Sequence, residues 1–173
     1  GGQAVNFGKE NSVTLTGAGN FSRNDAFTLS LWVKLDEHLE EGVVIHRTRG
    51  GLDAGHRGYE ISIEKDRPVV RLAYYWPGNA IGLAGREVLP LGKWVHLAVT
   101  YDGSSQASGT HLYRDGKLAE VDLLQNCLTC DFRYYREWGD YDPDKVPDST
   151  IVEHPELMLG ARYLAKSFVN GSI

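Results

Sequence analysis

Residues 27–35 alternate strictly between apolar and polar side chains, so that Phe27, Leu29, Leu31, Val33 and Leu35 share one face. A period of two is the signature of a strand with one buried face. The pattern recurs at 59–64, with Tyr59, Ile61 and Ile63 together, and at 94–101, with Val95, Leu97, Val99 and Tyr101 together. In that scheme Glu60, Ser62 and Glu64 fall on a solvated polar face, Trp32 and Trp94 are structural, and His96 is a satisfied sheet histidine. Shorter strands are expected at 4–7, 12–16, 43–48, 69–75, 111–114, 119–124 and 156–161.

Turn chemistry separates these runs. Asp115-Gly116 between Arg114 and Lys117 is a hairpin signal, because a type I′ turn needs positive φ at both central residues. Asp102-Gly103 followed by Ser104-Ser105 ends another strand in a polar loop. No segment carries a helical stripe, and residues 37–41 make one helical turn at most. About ten short strands spaced by turns predict an all-β, two-sheet antiparallel sandwich. The whole chain, 1–173, reads as one domain. Residues 131–149 interrupt the rhythm with a long aromatic and acidic loop, a length that usually marks a functional or a mobile segment.

Composition narrows the functional classes. The 20 glycines are spread along the chain, which agrees with many tight turns. A net charge of −5 argues against a phosphate-backbone binder, which needs a basic face, and no nucleic-acid partner is expected. No run of about 18 apolar residues occurs, so this segment inserts no helix into a membrane. Cys127 and Cys130 stand as C-x-x-C. Asp131 replaces the histidine of a haem attachment, and two thiols are too few for a four-thiolate zinc site. A short-loop disulfide and two free thiols both stay open.

Four segments carry a family resemblance. Phe27-Thr-Leu-Ser-Leu-Trp-Val-Lys, Trp94-Val-His-Leu-Ala-Val-Thr-Tyr-Asp-Gly, Leu112-Tyr-Arg-Asp-Gly-Lys, and Leu157-Met-Leu-Gly-Ala with Phe168-Val-Asn-Gly-Ser-Ile resemble, in order, the motifs of laminin G-like domains in the concanavalin A-like jelly-roll group. The resemblance implies a final strand continuing past Ile173, so a last C-terminal strand is expected to be missing and the segment to derive from a larger protein. A narrower likeness rests on Asp53-Ala-Gly-His-Arg-Gly-Tyr-Glu, Tyr75-Trp-Pro-Gly-Asn-Ala-Ile and residues 99–109. These resemble a module embedded in large planctomycete proteins that also contain cytochrome c-type domains. That likeness implies an exported parent, periplasmic or at the cell surface, with neighbouring domains as partners.

The resemblance also frames the candidate chemistry. Retaining glucanases of concanavalin type use a Glu-x-Asp-x-Glu strand, and Glu60-Ile-Ser-Ile-Glu64 resembles it with Ser62 in the middle. A serine cannot supply the charge that tunes the two carboxylates apart. In straight strand geometry Cα atoms four residues apart are about 13 Å apart, against about 5–5.5 Å between the carboxyls of a retaining pair. No catalytic residue is therefore assigned.

A binding role for glycan is carried instead by aromatics edged with polar groups. These are Tyr74, Trp76 and Asn79 at one strand end, His56 and Arg57 in the preceding loop, and Tyr135 and Trp138 (with Tyr134 and Tyr141) in the long loop. Indole and phenol faces stack on sugar C–H faces while polar neighbours take the hydroxyls. Plain packing beneath the loop is the alternative for these aromatics, and a structural domain docking on its neighbours is the alternative for the protein. Calcium, which the resemblance makes a possible ion, has oxygen ligands available in the turn residues Asp53, Asp66, Asp102 and Asp115 and near Asn6 and Gly8. No spacing assigns a calcium site, and turn aspartates ordinarily bond their own backbone.

Overall fold

The computed structural model describes residues 3–8, 11–48, 56–133, 155–161, 168 and 171–173. Among these residues thirteen strands make two antiparallel sheets packed face to face. The six-stranded sheet runs β1 (Asn6–Phe7), β13 (Gly171–Ser172), β3 (Phe27–Leu35), β8 (Trp94–Tyr101), β9 (Thr110–Arg114), β10 (Lys117–Leu118). The seven-stranded sheet runs β11 (Val121–Asn126), β7 (Asn79–Gly85), β6 (Arg67–Tyr75), β5 (Gly58–Glu64), β4 (Glu41–Thr48), β12 (Leu157–Leu159), β2 (Val13–Leu15). The expected sandwich is the observed one, and the described residues contain no α-helix.

The alternating residues meet where the pattern places them. Leu29, Val33, Val95, Leu97 and Val99 from one sheet face Ile61, Ile63, Leu72, Ile81 and Leu83 from the other, and all are buried. Each such side chain contributes about 1.5–3 kcal/mol by leaving water. One end of the core is aromatic: Phe27 lies 4.5 Å from Phe21, 5.3 Å from Tyr59 and 5.4 Å from Tyr101, ring centre to ring centre. Phe132, at the entrance of the long loop, is buried against the same group. The Tyr59 hydroxyl donates to the Gly19 carbonyl at 2.7 Å.

Several boundaries differ from expectation. Residues 37–41 form no helical turn; β4 begins at Glu41, while Leu39 is buried and its amide donates to the Asp66 carboxylate. Strand β7 has no strong apolar alternation because Gly82 and Gly85 serve close packing. A Cβ on Gly82 would lie 2.6 Å from the Trp76 ring, and one on Gly85 would lie 2.9 Å from Pro68. The Asp115-Gly116 hairpin is present, with φ of 49° and 77°. Lys65 and Asp66, both at positive φ, form a second two-residue turn without a glycine. It pairs Glu64 with Arg67 and thereby sets Glu60 opposite Arg71.

Two exposure expectations are corrected. Glu60 is only 2% exposed and Ser62 is buried, so of the three polar residues on the second face of β5 only Glu64 keeps partial access to solvent. Conversely Trp32 is 55% and Trp94 42% exposed. Both stand on the outer face of the six-stranded sheet, because their neighbours in the alternation take the core positions. His96 is satisfied there: its Nε2 is 2.7 Å from the Ser30 hydroxyl and its ring packs beside Trp32.

Candidate functional site

The outer face of the seven-stranded sheet carries a charged cluster centred on Arg71. Strand alternation sends Val70 and Leu72 into the core and Arg71 outward, directly opposite Glu60 on β5. Its Nη1 donates to Glu60 Oε1 at 3.1 Å and to Ser62 Oγ at 3.1 Å, and its Nη2 reaches Glu64 Oε1 at 2.6 Å. The Ser62 hydroxyl donates to Glu64 Oε1 at 3.3 Å. A guanidinium in its fixed fork thus links two carboxylates and a hydroxyl, an arrangement that only arginine provides.

Trp76 completes the cluster. Its ring lies over the bare backbone of Gly82, and the Arg71 guanidinium carbon stands 4.8 Å from the ring centre. Glu41, His56, Glu60, Glu64, Arg71 and Trp76 enclose a pocket of about 90 Å³. Glu41 and Glu64 also line a broader groove of about 540 Å³ that continues past Arg67, Val69 and Leu124. The arrangement offers an aromatic face beside carboxylate acceptors and guanidinium donors, the combination that holds a ring bearing several hydroxyls.

The sequence-derived candidates divide around this pocket. Trp76 and His56 line it. Tyr74 points to the opposite side of its strand, where it packs against the inter-sheet core. Arg57 stacks over the Tyr74 ring at 4.5 Å and donates to the Asp131 carbonyl at 3.4 Å. Asn79 fastens the cysteine loop: its Oδ1 accepts the amides of Thr129 and Cys130, and its Nδ2 donates to the Thr129 hydroxyl at 2.7 Å. Cys127 and Cys130 in that loop are exposed free thiols. Tyr135 and Trp138, like Tyr134, Tyr141 and Asp53, lie outside the described residues.

Arg71 and Glu41 are functional candidates that the sequence reading omits. The register that places Arg71 across from Glu60 is set by a two-residue turn at Lys65-Asp66, which lacks the glycine by which such a turn is read in a sequence.

The described turn carboxylates all accept backbone amides, that of Asp102 from its own turn and those of Asp66 and Asp115 from other segments. Asp102 accepts the Ser104 amide at 2.8 Å and Asp115 the His96 amide at 3.0 Å. Burial would raise the Asp66 pKa, but the Leu39 amide and the His38 ring outweigh it and hold the carboxyl below its ordinary value. Asn6 Nδ2 donates to the Ser172 hydroxyl at 3.2 Å. Among the described residues no three His, Cys, Asp or Glu side chains converge as a metal-ligand group.

Comparison with known proteins agrees with this architecture. A sequence profile of laminin G type, described as the concanavalin A-like lectin/glucanases superfamily, matches residues 7–126. The chain belongs to that superfamily. No curated protein sequence matches it.

Among solved structures, this superfamily member is similar to a Bacteroides ovatus protein proposed to bind carbohydrate, at a TM-score of 0.54 and 16% identity. That match covers 98% of this chain and 41% of the other. It is also similar to the binding domain of botulinum neurotoxin serotype G, at a TM-score of 0.52 and 13% identity, covering 90% of this chain and 36% of that one. A Trypanosoma rangeli sialidase matches at a TM-score of 0.47 and 18% identity, over 86% of this chain and 19% of its own. At these identities the first two likenesses speak for the fold, and the third carries no argument.

Proposed function

We propose that this domain is a non-catalytic recognition module that binds glycan on the outer face of its seven-stranded sheet, with Trp76 as the stacking platform. The observation that carries the reading is Trp76 held against Arg71 beside the Glu60–Ser62–Glu64 strand, in a pocket that shares Glu41 and Glu64 with a broader groove. The superfamily and the carbohydrate-binding assignment proposed for one structural neighbour support it. Fold alone does not decide function; the site does.

The same geometry argues against hydrolysis. Retaining chemistry needs its two carboxyl groups to face one another across the scissile bond. Here Arg71 occupies the space between Glu60 and Glu64 and binds both. The narrower family likeness supports an exported, multidomain parent for the module.

A glycan screen of the domain, with Trp76→Ala alongside, tests the reading. Binding that Trp76→Ala abolishes without unfolding is expected. Cleavage of a bound glycan that depends on Glu60 or Glu64 would replace the recognition reading with an enzymatic one.

A further inference from the structure

The loop after β11 carries two thiols and is fastened to the turn that carries Trp76. That turn, residues 76–78, joins β6 to β7, which opens at Asn79. The Cys127 amide donates to the Ala80 carbonyl at 2.9 Å. The Cys127 thiol donates to the Pro77 carbonyl, with Sγ 3.6 Å from the oxygen. Asn79 Oδ1 accepts the amides of Thr129 at 2.9 Å and Cys130 at 3.1 Å. Residues 127, 129 and 130 are thus all bonded to the stretch 77–80, directly after Trp76.

The local backbone suits the two thiols to each other. Successive amides of an extended chain point to opposite sides, and they converge on one acceptor only where the chain turns. The amides of Thr129 and Cys130 converge on the single Asn79 oxygen, so the chain turns between the two cysteines. Leu128, also between them, is 2% exposed and seated in the core. Cys127 and Cys130 themselves are exposed free thiols, open to a reagent from solvent.

We infer that Cys127 and Cys130 are a redox modification site: they close to an intramolecular disulfide by exchange with a low-molecular-weight disulfide, and closure shifts the turn that seats Trp76. One cysteine thiolate attacks the S–S bond of the reagent, forming a mixed disulfide and expelling a thiolate that takes up a proton. The other cysteine thiolate attacks the mixed disulfide and expels the second half of the reagent in the same way. The cysteine pair loses two electrons and two protons, and the reagent gains them as two thiols. A disulfide needs its Cβ atoms about 3.5–4.5 Å apart. Because Leu128 is held in the core, Cys127 and Cys130 make that approach themselves. Cys127 then loses the hydrogen it directs at Pro77, and the Cys130 amide shifts on Asn79. Those two contacts bracket the turn whose Trp76 rests on Arg71 and Gly82. Control of glycan binding by the pair rests on the recognition reading; the closure and the shift do not.

Incubating the domain in oxidised and then reduced glutathione, without any glycan, tests both parts by intact mass and tryptophan emission. In oxidised glutathione the closed form, about 2 mass units below the dithiol, is expected to exceed the glutathione adduct by at least about tenfold. Tryptophan emission changes on closure, and that change is absent in Trp76→Phe. Reduced glutathione reverses both readouts. Cys130→Ser, a small change at an exposed position, stops at the mixed disulfide. Thiols left free in oxidised glutathione, or glutathione adducts that persist on the parent domain, would overturn the closure. A disulfide that forms and leaves Trp76 emission unmoved would overturn the coupling to the turn.

Discussion

Arg71 and Glu60 face each other across β5 and β6 at 3.1 Å, with Glu60 2% exposed. A carboxylate so placed needs its cation, because removing one partner of a buried pair leaves an uncompensated charge. Arg71→Met is therefore expected to cost about 3–5 kcal/mol in urea denaturation. Adding Glu60→Gln to the same chain should recover much of that loss, and the double-mutant cycle measures the coupling. Additive effects would show that the pair is not coupled.

Trp76 is the residue whose loss separates binding from folding. It is half-buried and rests on Arg71 and Gly82. Trp76→Ala is expected to lower stability by only about 1–2 kcal/mol, the scale of a desolvated cation–π contact with its attendant packing. Glycan affinity should fall by at least about tenfold, equivalent to about 1.4 kcal/mol. Calorimetry of binding and of unfolding on the same sample distinguishes the two.

Gly82 gives a subtler handle. An alanine there would place its Cβ 2.6 Å from the Trp76 ring, and the flexible partner is the indole, which must move off the sheet. Gly82→Ala is expected to change Trp76 fluorescence and weaken glycan binding while β7 stays paired with β6. Unchanged emission would mean that the ring does not rest where the close approach puts it.

Tyr59 makes an alkaline prediction. Its phenol is buried in the aromatic end of the core, and burial raises its pKa well above the ordinary 10.0. A folded-state pKa above the unfolded one means that the contribution is fully present below about pH 10. It is lost as pH rises further, because only the unfolded chain then ionises freely. Tyr59→Phe should remove about 1 kcal/mol at neutral pH by deleting the bond to the Gly19 carbonyl. It should also make the decline in stability above pH 10 shallower than in the parent, as followed by urea denaturation at pH 9 and pH 11. Parallel declines would contradict the assignment.

The two-sheet sandwich was legible because its central strands obey a period of two: the buried faces of β3, β5 and β8 coincide with the apolar positions at 27–35, 59–64 and 94–101. Strand β7 was illegible for a physical reason. Its Gly82 and Gly85 are selected by the approach of Trp76 and Pro68, and carry no hydrophobic signal of their own.

The same limit explains the site. Alternation told that Glu60 and Ser62 leave the core face, but not that Arg71 and Trp76 close over them. Cross-strand register decides that, and the turn that sets it uses Lys65 and Asp66 in place of the usual glycine. Trp32 and Trp94 were misjudged by the converse error, since a tryptophan in a strong strand can stand on its solvent face.

The central claim is that Trp76 and the Arg71 cluster form the glycan-binding face. Its most direct test is a titration of a neutral oligosaccharide from the glycan screen, followed by backbone amide shifts. The account predicts perturbations concentrated on β5, β6 and β7 around Glu64, Arg71, Trp76 and Gly82, absent in Trp76→Ala. Perturbations confined to the outer face of the six-stranded sheet around Trp32 and Trp94, undiminished in Trp76→Ala, would contradict it.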